Sequence, residues 1–326
     1  MKVFISGGAG FIGSHLCERF LKSGHSVVAY DNLILGKSEL LEPFTEDAGF
    51  RFIEADLLDL ARVKKEMAGS DLVVHMAANS DISQGAARTD VDMQNGTVAT
   101  YNVLEAMRTT GVKKLLFAST SAIYGEASIK PTPESYGPLF PISFYGASKL
   151  ACEAMISAFS HNCGISAWVY RFANIVGSHA THGAIYDFIS RLGKDPTRLR
   201  VLGNGTQRKS YLHVSDCVAG MLFGFENSKE QFQCFNLASE GVTQVRYIAE
   251  TVVAKMAEMA GRVGTELEFG ESDRGWVGDV AYTHLDGAKF HQLGWRAKYS
   301  SDQAVELAIK EIIAERSSEF GVAKGR

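Results

Sequence analysis

MKVFISGGAGFIGSH, residues 1–15, decides how the rest of the chain is read. Val3, Phe4 and Ile5 form a short apolar run that suits a buried strand. From Phe11 the spacing turns helical, with Phe11, Ile12, Leu16, Phe20 and Leu21 on one face. A strand followed at once by a helix leaves free N–H groups and the positive end of a dipole at the join, where phosphate is attracted. Three glycines sit there. Gly7 allows the tight turn, Gly10 lets a pyrophosphate reach the backbone, and Gly13 lets the helix pack on the strand. A glycine triplet alone is weak, so the context matters. Ser26 to Tyr30 reads as a second strand ending at Asp31, an acid about 20 residues past the glycines, where a ribose diol is held. A carboxylate there repels a 2′-phosphate, so NAD is expected rather than NADP.

Composition narrows the class. The 326 residues are too many for most single cores and suggest two closely packed domains. A hydrophobic content of 46% supports a full core, and a net charge of −4 without a basic stripe argues against nucleic acid. The five cysteines, Cys17, Cys152, Cys163, Cys217 and Cys234, are odd in number and scattered, as free thiols of a reducing compartment are. Glycines interrupt the first apolar run before a signal-peptide core could form, and no run approaches about 18 apolar residues. The expected setting is therefore the cytoplasm, with no membrane partner.

Strand and helix signals alternate for about 170 residues. Strands are expected at 50–54, 72–76, 115–118 and 166–170, with helices at 59–68, 90–110 and 144–162. This is the pattern of an α/β, Rossmann-like doubly wound parallel sheet, whose ligands bind beyond the carboxyl ends of the strands. The strand-end residues Asp31, Asp56, Ala77, Ala78, Ser119 and Thr120 therefore matter most. The small Ala77–Ala78 pair lets a cofactor lie close. Asp56 either accepts from an adenine amino group or caps the following helix. Helices continue at 182–192, 214–226, 245–260 and 301–316, the last opened by a capping box at Ser300 and Gln303. The expected division is a Rossmann domain at 1–175 with parts of 213–240, an interwoven, smaller α/β substrate domain at 176–212 and 241–316, and a flexible tail at 317–326.

The catalytic candidates lie in FASTSAIYG (117–125) and SFYGASKLACEAM (143–155). Tyr145 and Lys149 are four apart in a helical stretch and share a face. A nearby ammonium stabilises a phenolate, so Tyr145 is expected to have a lowered pKa and to act as a general base. Thr120 can relay a proton to it. His179 and His182 have a possible metal-ligand spacing without supporting acids or cysteines, and no metal is expected. His75 and His213 read as core histidines.

GGAGFIGSH, Asp31, Asp56, the alanine pair, STSAIYG and YGASK together resemble the extended short-chain dehydrogenase/reductase family, in particular its NAD-dependent nucleotide-sugar epimerases of the UDP-galactose (UDP-glucose) 4-epimerase type. RFANIVG (171–177), YDFISRL (186–192), VLGNGTQRKSYLHVSD (201–216) and RGWVGDV (274–280) extend the resemblance along nearly the whole chain. It implies Tyr145 as base, Lys149 as its activator and ribose ligand, and Thr120 as hydroxyl partner on the substrate. It implies NAD held by Gly7, Gly10, Phe11, Ile12, Gly13, Asp31, Asn32, Asp56, Leu57, Ala77, Ala78, Asn95, Ser119 and Phe172, and substrate diphosphate held by Asn174 and cationic residues. An Arg-Asp pair usual after the glycine-rich loop is here Lys209 and Ser210, with Arg208 just before, which leaves Arg208 and Lys209 both as candidates. A late arginine usual two residues before a Gly-Asp pair is represented by Arg274, four before Gly278. The usual helix asparagine falls opposite Gly96, one position from Asn95. The resemblance also implies a homodimer, paired through the helices at 90–110 and 144–162.

The two positions after Thr120 separate the activities. Sugar 4,6-dehydratases of this family place Asp-Glu there and its decarboxylating members resemble Thr-Ser-Glu, whereas this chain has Ser121 and Ala122. C4 epimerisation through a 4-keto sugar needs only the tyrosine, the hydroxyl and the nicotinamide, and is the first expectation. Net oxidoreduction or another modification of a nucleotide sugar is the alternative, and a non-catalytic dinucleotide sensor would not need Tyr145 beside Lys149.

Overall fold

The computed structural model describes residues 1–82, 84–276 and 278–320. Its elements run β1 (Lys2–Ser6), α1 (Phe11–Lys22), β2 (Ser26–Asp31), β3 (Phe50–Glu54), α2 (Leu60–Met67), β4 (Leu72–His75), α3 (Gln84–Ala87), α4 (Ala99–Thr110), β5 (Lys114–Thr120), α5 (Phe144–Cys163), β6 (Ser166–Phe172) and β7 (Asn174–Val176). They continue α6 (Ala184–Lys194), β8 (Arg198–Val201), β9 (Arg208–Lys209), β10 (Tyr211–His213), α7 (Val214–Asn227), β11 (Phe232–Leu237), β12 (Thr243–Gln244), α8 (Val245–Ala260), β13 (Glu266–Phe269), β14 (Tyr282–Thr283), α9 (Ala288–Gln292) and α10 (Ser301–Glu315).

Seven strands form the main sheet in the order β11-β6-β5-β4-β1-β2-β3. Every pairing in it is parallel. Such a sheet is buried on both faces, which explains near-continuous apolar runs such as Val3–Phe4–Ile5 and Leu115–Leu116–Phe117. Alternate residues of these strands enter opposite cores: Val3 and Ile5 pack with α1 and α7, while Phe4 packs with α2, α4 and α5. The order reverses between β1 and β4, and that reversal opens a crevice at their carboxyl ends.

A third core is built by α6, α8 and α10 around Ile189, Leu192, Ile248, Val252, Ala308 and Ile312. Three small sheets, β7–β10, β12–β9–β14 and β8–β13, lie in this part of the chain. The chain returns to the main sheet through α7 and β11, as the renewed alternation near 213–236 suggests. The Ser300–Gln303 capping box at α10 is formed in full.

Two expectations change. Met76 lies outside β4, which ends at His75. The tail does not fray at once: Ser317–Phe320 is a 3-10 turn with Phe320 buried in the third core. Gly193 leaves the space for that ring, since a Cβ there would sit 2.6 Å from Phe320. The remainder of the expected tail, 321–326, lies outside the described residues.

Candidate active site

A cleft of about 890 Å³ runs from the β1–α1 turn to the loop before β14. Every residue expected to hold NAD or to act in catalysis lines it, from Gly7 to Phe172. Of the expected substrate residues, Asn174 and Lys209 line it as well.

The glycine turn is fitted to a pyrophosphate. Gly7 has φ +72, and a Cβ on it would lie 2.7 Å from the Ala77 backbone nitrogen. A Cβ on Gly13 would overlap the Gly7 carbonyl. Gly10 caps α1 with no side-chain hydrogen bond, and the first turn carries no acid. Its free N–H groups and positive dipole end therefore face the cleft uncompensated. Asp31 ends β2, with Oδ2 accepting from Ala9 N at 3.1 Å and Oδ1 from Leu33 N at 2.9 Å. Burial raises its pKa while these amides oppose the rise. Asp56 does not cap α2; Asp59 does, accepting from Arg62 N. Asp56 instead accepts from Asn32 Nδ2 at 3.1 Å and from Leu58 N at 2.8 Å, within the cleft wall. These features fit a dinucleotide.

The asparagine register has a physical answer. Met93–Val98 is a π turn, not α-helix. A π turn accommodates one extra residue, and such turns recur at functional sites. Asn95 thereby lines the cleft, its Nδ2 donating to Val91 O at 3.1 Å. Gly96 turns to α5 instead, where any Cβ would overlap the Ser148 hydroxyl.

Tyr145 and Lys149 stand on the first two turns of α5, which Ser143 caps by accepting from Gly146 N at 3.1 Å. The Thr120 hydroxyl faces the Tyr145 phenol and favours its ionised form. The phenol pKa is nonetheless raised, chiefly by burial, with the Asp92 carboxylate adding to the rise. This corrects the expectation of a lowered value. The Lys149 ammonium donates to Ala118 O at 2.7 Å and lies over the Phe117 ring, so it does not offset the desolvation of the phenol. Burial brings the Lys149 pKa down to about 8. Behind the pair, Glu153 grips Arg171 through 2.8 Å and 3.1 Å hydrogen bonds and accepts from Ser119 Oγ at 2.5 Å. Ser119 is therefore anchored inward while its residue borders the cleft.

The two residues of β9 face different surroundings. Lys209 lines the cleft and pairs with Asp279 at 2.5 Å. Arg208 is exposed beyond the cleft lining and faces the Gln244 side chain at 3.0 Å. Arg274 is also not a cleft residue: it pairs with Glu126. The residue two before Gly278 is Trp276, and that side of the loop lines the cleft. Arg191, in the motif YDFISRL, also borders the cleft from α6, a position the sequence did not single out. Elsewhere, His75 is buried and held neutral, its pKa down to about 3 from desolvation, between Ser6 Oγ and Thr100 Oγ1. His213 faces Glu311 at 3.0 Å, and His179 faces Ser14 Oγ at 3.0 Å.

A glycine phosphate turn at the sheet reversal and a tyrosine–lysine helix across the cleft define a Rossmann-type, dinucleotide-using enzyme. The chain belongs to the NAD dependent epimerase/dehydratase family, whose model matches residues 3–238. NAD is its cofactor. It is 29% identical to the UDP-glucose 4-epimerase of Bacillus subtilis, over 91% of this chain and 93% of that one. A solved UDP-galactose 4-epimerase is 36% identical, with a TM-score of 0.84 over 97% of this chain and 99% of that one. The UDP-glucose 4-epimerase of Thermotoga maritima, solved with UDP-glucose, is 28% identical, with a TM-score of 0.85 over 98% and 99%.

Proposed function

We propose that this enzyme interconverts the C4 epimers of a UDP-hexose of the glucose/galactose type through a 4-keto sugar. The observation that carries the reading is the single cleft holding Thr120, Tyr145 and Lys149 with Ser121 and Ala122 beside them. Loss of water across C5–C6 would need an added acid and base after Thr120, and neither Ser121 nor Ala122 supplies one. Solved 4-epimerases share its fold over nearly the whole length.

In this reading Tyr145 takes the proton from the sugar 4-hydroxyl, directly or through Thr120, and later gives it back. When bound, NAD supplies a reversible hydride acceptor and, in its oxidised form, a positive charge that favours the phenolate. Lys149 orients the ribose of the cofactor. Lys209, Asn174 and Arg191 hold the diphosphate, so the keto sugar is tethered at one end and can present its other face. The segments around the third core, 176–212 and 241–316, form the nucleotide-sugar side, and 1–175 with parts of 213–240 the NAD side.

Two further parts belong to this proposal. The enzyme is a homodimer paired through α4 and α5, where Tyr101 is exposed and stacks edge-on with Phe159 of the neighbouring helix. It works in the cytoplasm: its five cysteines are all unpaired, as a reducing compartment keeps them. No helix among the described residues is long and apolar enough to cross a membrane. Incubation with UDP-, GDP- and dTDP-sugars, followed by separation of products, tests the activity. One C4 epimer pair at equilibrium is expected, and steady accumulation of NADH would instead mark a net oxidoreductase.

A further inference from the structure

The chain on either side of Thr120 is tied to one guanidinium. Ser119 precedes Thr120 at the end of β5, and Tyr124 closes the 3-10 turn Ser121–Tyr124 that follows it. Arg171 lies in register with Ser119 across β5–β6 and with Asn236 across β6–β11. These side chains are all buried, as is Glu153 on α5.

The Arg171 guanidinium makes four of the five hydrogen bonds open to it. Nε and Nη2 grip the Glu153 carboxylate, and Nη1 donates to the Tyr124 hydroxyl at 2.8 Å and to Glu134 O at 3.0 Å. The Tyr124 hydroxyl donates in turn to Asn236 Oδ1 at 2.7 Å. On the other side of Thr120, Ser119 Oγ donates to Glu153 at 2.5 Å, so this hydroxyl is spent inside the protein and not on NAD. Glu153 lies one helical turn beyond Lys149, whose ammonium donates to Ala118 O. Helix α5 is thus fastened to the end of β5 at two successive residues, Ala118 and Ser119. A buried ion pair adds little net stability over an apolar replacement of the same shape. What the planar fork of an arginine supplies is direction, because it holds a carboxylate in two places at once.

We propose that Arg171 and Glu153 are positioning residues of the active site: they brace Ser119 and Tyr124 from behind and so hold the Thr120 hydroxyl against the helix that carries Tyr145 and Lys149. Neither lines the cleft, so they act through the chain they hold. The bearing on catalysis rests on the reading of Tyr145 as base with Thr120 as its hydroxyl partner; the brace itself does not.

Ser119→Ala and Tyr124→Phe test this, because each removes one hydroxyl and leaves the ion pair in place. The first readout is amide hydrogen exchange of the NAD-loaded protein. Exchange across 119–124 should quicken in both variants while the middle of α5 stays protected, and unchanged exchange would overturn the brace whatever the reaction. The second is kinetic. Each variant should lower kcat about tenfold with KM for the sugar nucleotide within about twofold of the parent, since small misplacements at a reacting centre are costly. Made on Thr120→Ala, where the positioned hydroxyl is already gone, each should cost less than about twofold more. An undiminished kcat, or the same loss in both backgrounds, would overturn the positioning role and leave the network structural. Arg171→Lys keeps the charge but cannot hold Glu153 and Tyr124 together, and should lose at least as much kcat; full activity in it would likewise overturn the proposal. If that variant does not fold, the two hydroxyl variants decide. A parent that converts no sugar nucleotide would instead defeat the proposed reaction and leave the exchange result standing.

Discussion

The Lys149 ammonium lies 5.9 Å from the centre of the Tyr145 ring and donates to the carbonyl of Ala118, not to the phenol. The lysine thus serves the site as a buried charge near the base. This geometry explains why burial dominates the phenol and raises its pKa, with the Thr120 hydroxyl opposing the rise.

Replacing Tyr145 with phenylalanine removes the proton carrier and leaves the ring. A positioned general base is worth about 10²–10⁴-fold, so turnover should fall at least that far while NAD stays bound. Steady-state rates and the cofactor released on denaturation check this together.

Lys149 titrates near 8 because burial disfavours its charged form. The ammonium is present below that value and is lost as the pH rises through it. A reaction that needs the ammonium should therefore decline on the alkaline side of about pH 8. A rate profile that stays flat well into the alkaline range would remove Lys149 from the charged machinery.

Lys209 faces the cleft and Arg208 faces away from it. Lys209→Gln should raise KM for the nucleotide sugar about ten-fold or more, equivalent to ~1.4 kcal/mol. Lys209→Arg should restore most of the loss, and Arg208→Gln should change KM little. Because Lys209→Gln leaves Asp279 without its cation, Tm is measured beside KM.

Gly96 packs against Ser148 with no space for a methyl group. Gly96→Ala must turn the Ser148 hydroxyl away from Asp92 O and Thr97 Oγ1 or widen the contact with α5, and should cost about 1–3 kcal/mol, read as a fall in Tm. Asn95 would shift with it, so NAD retention should weaken in parallel.

Local chemistry made much of this protein legible from sequence. The phosphate turn needs its glycines within a few residues, and the buried parallel strands announce themselves as apolar runs. Tyr145 and Lys149 share a face simply because they are four apart on a helix. The features that stayed hidden depend on packing. The π turn that turns Asn95 to the cleft sets Gly96 against Ser148, a residue on a different helix. Which of Arg208 and Lys209 enters the cleft depends on how a two-residue strand pairs with Thr243–Gln244. Arg274 matched a motif by type, yet the fold pairs it with Glu126, far away in sequence. The raised phenol pKa depends on burial and on where the Lys149 ammonium finds its acceptor, and neither can be read from a spacing of four.

If C4 itself is oxidised and reduced while Tyr145 handles only the hydroxyl proton, the hydrogen on C4 never exchanges with water. UDP-galactose carrying deuterium at C4, incubated with the enzyme in ordinary water, tests this by mass spectrometry and NMR of the UDP-glucose formed. Deuterium should be retained at C4 of the product, the label should slow its formation, and conversion should be all but lost in Tyr145→Phe. Deuterium washed out to solvent, or full-speed conversion by the phenylalanine variant, would contradict the mechanism.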